Sequence, residues 1–306
     1  MKTLCIFNPE HDICLANGDK NFVPPMSALR FAHEGASLMQ VLYGKDAVAV
    51  ATAEFHTVSI AEPYRIVPWG WDAVVKQHLR KQGAAESVLL SDEQIEVLRD
   101  LQHRTSVLSL QEGAAAVESI PALHDYLNRY HRIVLKAPWS GSGRGVRWVT
   151  ERFSPQDLFW AEKVIKEQRC VVAEPRRNVV MDFAMEYEMQ ASAVNFVGYS
   201  LFKTQSGVYR YNLLWSDVRI RQEIVSRLTD ASQWNTLQAR LNKWLQQQVL
   251  GKYQGPLGVD FFIDADGKVY LGEVNFRHTM GLVAHQLLQN NPQLEGTLFN
   301  PSNLCL

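Results

Sequence analysis

Two apolar, β-rich runs joined by a turn near the carboxyl end constrain this chain more than any other feature. Residues 258–275 read GVDFFIDADGKVYLGEVN, and Asp-Ala-Asp-Gly is typical of a tight turn between antiparallel strands. The pattern predicts a β-hairpin with Ala265 and Asp266 as a two-residue loop. In that register, Asp260 lies opposite Leu271.

Three oxygen-bearing side chains share one face of this predicted hairpin. Side chains alternate along a strand, so Glu273 and Asn275 share a face, and Asp260 joins them from the opposite strand. Asp260 and Glu273 are then diagonal neighbours, roughly 7–8 Å apart at the backbone. Two carboxylates and an amide oxygen suit Mg²⁺, which prefers hard oxygen ligands. The alternative is the solvated face of an ordinary hairpin, but the strongly apolar flanking residues favour a functional site.

A glycine-rich loop follows a predicted strand in the middle of the chain. Residues 132–136 read RIVLK, and the sequence continues as APWSGSGRGV. Small residues let successive backbone N–H groups approach an anion, and Lys136 adds a positive charge that suits phosphate. The lysine precedes the glycines, which excludes a P-loop, and the glycine spacing excludes a Rossmann fingerprint. No HRD or DFG triplet marks a protein kinase. A plain glycine turn between two strands remains the alternative.

Composition narrows the class of protein. The 306 residues carry a net charge of −1, so no single-sign field points to nucleic acid or to a membrane surface. The four cysteines form no CxxC pair, which fits a reducing compartment. No run of 18 apolar residues and no signal-peptide pattern is present. We therefore expect a soluble, cytoplasmic protein that binds neither nucleic acid nor membrane.

The predicted elements divide the chain into two parts that differ in secondary-structure content. Strands alternate with helices over about the first 115 residues, which predicts an α/β domain, and the remainder is richer in strands. Ser91 and Gln94 form a capping box, and Ser154-Pro155 begins a later helix. The predicted elements of the first part are strands over 3–7 and 47–51 and helices over 25–42, 71–82 and 91–103.

The order of lysine, glycine loop, acidic strand and acidic hairpin resembles the ATP-grasp superfamily over about residues 120–290. The glycine loop is similar to that of biotin carboxylase. The hairpin, with 13 positions between Asp260 and Glu273, is similar to that of D-alanine–D-alanine ligase. Asn275-Phe276-Arg277 resembles the Asn-Pro-Arg of carboxylase-type members, with Phe in place of Pro.

The resemblance implies an α/β (α+β) fold class, with an ATP-grasp fold that follows an N-terminal α/β domain. The N-terminal, pre-ATP-grasp domain would span residues 1–115, and the ATP-grasp domain would span 116–306. Within the latter, a small lid subdomain would take about 116–180, and a C-terminal metal-binding subdomain about 181–306.

The resemblance also implies contacts with ATP. Lys136 would contact the phosphates, and Glu174 would lie near the adenine. Asp182 would bind the ribose hydroxyls, but the spacing from Glu174 is one residue longer than expected, so Glu186 remains a rival. The residues that would cover the phosphates as a flap are Ser140, Gly141, Ser142, Gly143, Arg144 and Gly145.

The remaining implied roles concern the metal and the chemistry. Asp260, Glu273 and Asn275 would hold Mg²⁺. Arg277 would steady the acyl phosphate, and Lys203 would be a further phosphate contact, although either cation alone fits an ordinary surface position.

The function implied is that of an ATP- and Mg²⁺-dependent carboxylate–amine ligase. A small-molecule or peptide carboxylate would attack ATP to give an acyl phosphate, and an amine or another nucleophile would then displace phosphate. The alternatives are a small-molecule kinase of the same fold and a non-catalytic ATP-binding protein. A homodimer is a reasonable default.

Two departures from the family bear on the substrate. The first strand leads into the segment Asn8–Asp12 instead of a glycine-rich loop. This segment is either a turn, which its Asn, Pro and Asp residues favour, or part of an acceptor site at a strand end. Gly258 stands where D-alanine ligases carry an arginine, which argues against D-alanine ligation.

Overall fold

The computed structural model describes residues 2–57, 64–140, 145–205 and 207–301. Four residues of the predicted flap, Gly141, Ser142, Gly143 and Arg144, lie outside these ranges. The strands of the described part form three sheets. No helix in these ranges combines the length and apolar character needed to cross a membrane.

The first sheet is parallel, with strand order β2–β1–β3. Residues 4–7 of β1 are completely buried, because helices pack on both sides of this apolar strand. Its strands are β1 (Lys2–Phe7), β2 (Val48–Ala51) and β3 (Tyr64–Pro68). Its helices are α1 (His11–Asn17), α2 (Met26–Gly35), α3 (Leu38–Tyr43), α4 (Ala73–Lys81) and α5 (Asp92–Gln102).

Local capping explains where these helices begin. The Asp72 carboxylate accepts hydrogen bonds from the backbone N–H groups of Val74 and Val75, which fixes the start of α4. The predicted capping box of Ser91 and Gln94 is confirmed at α5. The single helix predicted over 25–42 is wrong, since the structure has two helices there.

The second sheet is antiparallel, with strand order β4–β7–β5–β6. Alternation along β5 buries Ile133 and Leu135 against the helices and turns Val134 and Lys136 to the other face. Ser154 caps the second helix, as predicted. The elements are β4 (Ala115–Val117), α6 (Ile120–Tyr130), β5 (Arg132–Lys136), β6 (Val146–Thr150), α7 (Pro155–Gln168) and β7 (Val171–Pro175).

The third sheet contains the largest core and has the antiparallel strand order β12–β11–β8–β9–β10–β13. On one face, Phe183 stacks on Phe261 with ring centroids 5.3 Å apart, and Trp234 meets both rings edge-on. Its elements are β8 (Val179–Met189), β9 (Val194–Gln205), β10 (Val208–Leu213), α8 (Asp217–Arg227), α9 (Ala231–Trp244), β11 (Gly255–Asp264), β12 (Val269–Asn275), α10 (Met280–Asn290) and β13 (Leu298–Phe299).

The register of the β11–β12 hairpin differs from the prediction. The loop has three residues, with the N–H of Asp264 bonded to the carbonyl of Lys268 and Gly267 in the left-handed region at φ 71°. A bulge follows at Gly272, so Asp260 pairs directly with Glu273 and not with the predicted Leu271. Both shifts move the register by one residue, and together they return Asp260 to the face of Glu273.

Candidate functional site

An acid pair, Asp260 and Glu273, forms the centre of the candidate site. The two residues lie directly opposite each other on β11 and β12. Asn275 donates from Nδ2 to Oδ2 of Asp260 at 3.1 Å, so all three predicted metal ligands come together. Burial and the neighbouring charge of Glu273 raise the pKa of Asp260 well above its usual range.

Arg104 connects this acid pair with the glycine loop. Its guanidinium lies 2.5 Å from Oε2 of Glu273 and also donates to the Ala137 carbonyl at 2.6 Å and to Ser140 Oγ at 2.7 Å. Burial acts to raise the pKa of Glu273, but the positive charges of Arg104 and Lys136 hold it below its ordinary value. Glu273 therefore has a cation in direct contact, whereas Asp260 has no ion pair among the described residues.

The two ends of the glycine loop lie against each other. The N–H of Ala137 donates to the Gly145 carbonyl at 2.8 Å. A Cβ added to Gly145 would lie 2.4 Å from the Ser140 side chain, so only glycine fits this close approach. The loop is thus closed at its base, where Arg104 also binds.

Lys136 and Glu174 form an ion pair on the face of the second sheet that its helices do not cover. The distance from Lys136 Nζ to Glu174 Oε1 is 2.8 Å, and Glu174 pairs in register with Val134 of the neighbouring strand. Two residues that the sequence predicts as separate nucleotide contacts therefore meet each other. The influence of the Lys136 charge on Glu273 places this lysine near the acid pair.

Arg277 is held by the segment Asn8–Asp12. It donates to both carboxylate oxygens of Asp12, at 3.3 and 2.9 Å, and to Asn275 Oδ1 at 3.1 Å. Burial opposes charge on Asp12, but Arg277 and His11 nevertheless lower its pKa. The segment includes a turn at Pro9-Glu10, as its composition predicts, and it also brings Asp12 to the site.

Asp182 and its rival Glu186 differ in their accessibility. Asp182 is partly exposed and accepts a hydrogen bond from Thr204 Oγ1 at 2.7 Å. Burial raises its pKa. Glu186 is 1% exposed and accepts from Ser200 at 3.0 Å and Thr279 at 2.8 Å. Its burial raises the pKa to about 7. Only Asp182 is placed to meet a ligand from solution.

Lys203 is not brought together with the acid pair. Asp182 pairs with Phe202, and Ala184 on the same strand face pairs with Asp260. Because side chains alternate, Lys203 projects from the opposite face of the sheet. There it lines a pocket beside Glu223 and Arg227.

Sequence reasoning missed Arg104 and the role of Asp12. Arg104 lies 169 positions from Glu273, and Asp12 lies 265 positions from Arg277, so no local spacing marks either contact. Within the described ranges, no three His, Cys, Asp or Glu side chains converge as metal ligands. The candidate metal set has two carboxylates and one amide.

Comparison with protein-family models and with curated proteins gives no significant match. Solved structures do match. Biotin carboxylase from Campylobacter jejuni, in a β,γ-ATP complex, is 14% identical with a TM-score of 0.55, over 100% of this chain and 72% of that one. D-Alanyl-alanine synthetase A from Vibrio cholerae is 13% identical with a TM-score of 0.53, over 95% and 94%.

A third match is carboxyaminoimidazole ribonucleotide synthase from Aspergillus clavatus, complexed with ATP. It is 13% identical with a TM-score of 0.52, over 91% of this chain and 71% of that one. Similarity at this level of identity establishes the fold and leaves the activity to be argued from the site. The chain has the ATP-grasp fold.

Proposed function

We propose that this protein is a Mg²⁺-dependent ligase that uses ATP to activate a carboxylate as an acyl phosphate and joins it to an amine. One observation carries the proposal: cations from three separate parts of the chain surround a partly buried acid pair. The cations are Lys136, Arg104 and Arg277, and the acids are Asp260 and Glu273.

The nucleotide would lie between the second and third sheets. Lys136 suits its phosphates, and the glycine loop that follows would offer backbone N–H groups to them. Asp182 is accessible for the ribose, and Glu174 borders the same face as Lys136. Three structures of this fold were solved with ATP, a β,γ-ATP ligand or ADP, which supports ATP as the ligand here.

The acid pair fits Mg²⁺. Asp260 is partly buried beside a second carboxylate, and burial and the charge of Glu273 raise its pKa. A cation at this position would relieve the repulsion between the two carboxylates. Oxygen ligands from Asp260, Glu273 and Asn275 would hold the ion and leave positions for phosphate oxygens. When bound, Mg²⁺ would neutralise charge on the transferring phosphoryl group.

The residues of the chain supply the remaining electrostatic stabilisation. Arg277 is oriented in advance by Asp12 and Asn275, so it can stabilise negative charge on an acyl phosphate with little reorganisation. Arg104 connects the loop to the acid pair, so that loop position and metal binding depend on each other. Exclusion of water by the loop would protect the acyl phosphate from hydrolysis.

Thermal unfolding with and without MgATP tests the proposal. A ligand at 100 times its dissociation constant adds about 2.7 kcal/mol to stability, which is roughly 5 °C for a chain of this size. The shift should require Mg²⁺ and shrink in Glu273→Ala. The control is Glu223→Ala, which removes only an exposed ion pair with Arg227.

The absence of any shift in the wild-type protein at millimolar MgATP would contradict the proposal. Where the shift is present, ADP release with panels of acids and amines separates the alternatives. A ligase needs both co-substrates for the amide product, whereas a kinase releases ADP with one acceptor alone. A non-catalytic protein binds MgATP and releases no ADP with any pair.

A further inference from the structure

A second cavity, of about 320 Å³, lies where the carboxyl end of β3 meets β8 and the start of β11. Its walls carry four aromatic rings from three separate segments of the chain. They are Tyr43, Trp69, Trp71 and Tyr253. Polar side chains also line the cavity, so it combines aromatic rings with groups that could orient a ligand. Its volume is at the lower end for small-molecule sites.

Glu188 supplies the negative charge of this cavity. It lies four residues beyond Ala184, the partner of Asp260, so it is on the same face of the sheet, roughly 13 Å along β8. In the described part of the chain, Glu188 makes no ion pair within 4 Å. Burial raises its pKa and the charge of Arg65 opposes this rise. The carboxylate is thus available to an incoming cation.

Arg65 supplies a positive charge at the rim of the same cavity. Its guanidinium lies over the Tyr43 ring, 5.8 Å from the centroid, and its side chain is exposed. Among the described residues, Arg65 also has no ion pair within 4 Å. One cavity therefore presents a partly exposed carboxylate, an exposed guanidinium and several aromatic rings.

His278 links two of the aromatic residues of the wall and is itself uncharged. Its Nδ1 lies 2.9 Å from the Trp69 carbonyl, which only accepts, so Nδ1 carries the proton. Nε2 then accepts from the Tyr43 hydroxyl at 2.6 Å. Burial lowers the pKa of His278 to about 4, so the ring is neutral at pH 7. It neither attracts a carboxylate nor repels an ammonium group.

We propose that this cavity binds a free amino acid, with its ammonium group at Glu188, its carboxylate at Arg65 and its side chain among the aromatic rings. An ammonium beside aromatic faces gains further stabilisation from cation–π attraction. The volume favours one amino acid over a longer peptide.

The position of His278 connects this cavity with the ligase site, and to that extent the inference rests on the proposed function. His278 lines the cavity and directly follows Arg277, which contacts Asn275 beside the acid pair. The amino acid would be the amine co-substrate.

Calorimetric titration without ATP tests the binding alone. Each of the twenty standard L-amino acids is titrated at up to 10 mM. The amino acid that binds most tightly is then compared with its decarboxylated amine and with its deaminated acid. For phenylalanine, these analogues are phenethylamine and 3-phenylpropionate. We expect each partial analogue to bind at least ten-fold more weakly. Glu188→Gln and Arg65→Gln should each weaken amino-acid binding at least ten-fold, and the exposed-helix control Glu162→Gln should leave it unchanged.

Two results would overturn the proposal: no amino acid binds at 10 mM, or the amine alone binds as tightly as the amino acid. Because Arg65 is exposed, Arg65→Gln keeps the test valid even where Glu188→Gln fails to fold. MgATP binding is measured in parallel on the same variants. If MgATP binds and no amino acid does, the cavity assignment fails and the nucleotide proposal stands; the reverse result rejects the ligase and keeps the amino-acid site.

Discussion

The acid pair and the turn that follows β1 both hold carboxylates away from bulk water, partly at the acid pair and almost completely at Glu10. The two regions stabilise these carboxylates in different ways. The Glu273 carboxylate lies 2.5 Å from the Arg104 guanidinium, and the positive charge of Arg277 acts to lower the pKa of Asp260. Glu10 is 1% exposed, and within the described residues neither of its carboxylate oxygens has a hydrogen-bond partner. Burial raises its pKa to about 7.

The comparison teaches that a buried acid is not by itself the mark of a functional site. Asn8 and His11, beside Glu10, contact Asp72 in a polar cluster at the edge of the first sheet. That cluster accommodates its acids partly by letting Glu10 keep a proton. The acid pair instead collects cations from distant segments, which phosphate and metal can share or displace. The cations distinguish the two regions.

The largest expected effect comes from removing the contact between the two regions. Asp12→Ala leaves the buried guanidinium of Arg277 without its carboxylate, which should lower the free energy of unfolding by about 3–5 kcal/mol. Urea unfolding measures it. Glu223→Ala, which breaks the exposed pair with Arg227, should cost only about 0.5 kcal/mol. A loss below about 1 kcal/mol for Asp12→Ala would show that Arg277 does not depend on Asp12.

Glu10→Gln tests whether the polar cluster holds a proton. The pKa of Glu10 rises from 4.5 to about 7 on folding, so the folded state binds the proton more tightly. Stability therefore falls as pH rises from 4.5 to 7, by about 3 kcal/mol, and this contribution is constant above pH 7. In Glu10→Gln, the decrease between pH 5 and pH 8 should be smaller by about that amount. Equal decreases by urea unfolding in both proteins would contradict a proton on Glu10.

Arg104→Met tests whether Arg104 and a metal ion compete for the Glu273 carboxylate. Arg104 competes with any metal for Glu273, so its removal should increase the stabilisation by Mg²⁺ alone, by about 1 kcal/mol, although the lost charged hydrogen bonds lower stability without metal. Thermal unfolding with 0 and 10 mM Mg²⁺ measures this. Arg240→Met is the matched control, because Arg240 donates to the Ser109 carbonyl of the 3₁₀ helix Arg104–Leu110, which also contains Arg104. An unchanged Mg²⁺ response would show that Arg104 does not compete with the metal for Glu273.

Local chemistry in the sequence predicted much of the fold. The capping box at Ser91, the N-cap at Ser154 and the strand before Lys136 depend on neighbours within four residues, so a single sequence displays them. The hairpin was recognisable for the same reason. Its register was not, because a left-handed Gly267 and a bulge at Gly272 each change the pairing by one residue.

The relative placement of the site residues could be predicted only for the acidic hairpin. Asp260, Glu273 and Asn275 lie within one hairpin, and alternation places them together. The contacts of Arg104 and Asp12 depend on how the sheets pack, and the ion pair of Lys136 with Glu174 depends on the pairing of β5 with β7. No spacing in the sequence encodes either. The predicted roles of 141–144 lie outside the described residues and stay predictions.

Lys203 gives the smallest expected effect and the sharpest test of which sheet face binds ATP. Lys203→Ala should change MgATP stabilisation by less than about 0.5 kcal/mol, as for other exposed substitutions, because Lys203 projects away from the acid pair. Lys136→Ala, on the opposing sheet, should remove most of it. Thermal unfolding with MgATP compares the two. If Lys203→Ala weakens MgATP as much as Lys136→Ala does, the nucleotide reaches round the edge of the third sheet, and the pocket of Lys203, Glu223 and Arg227 belongs to the ATP site.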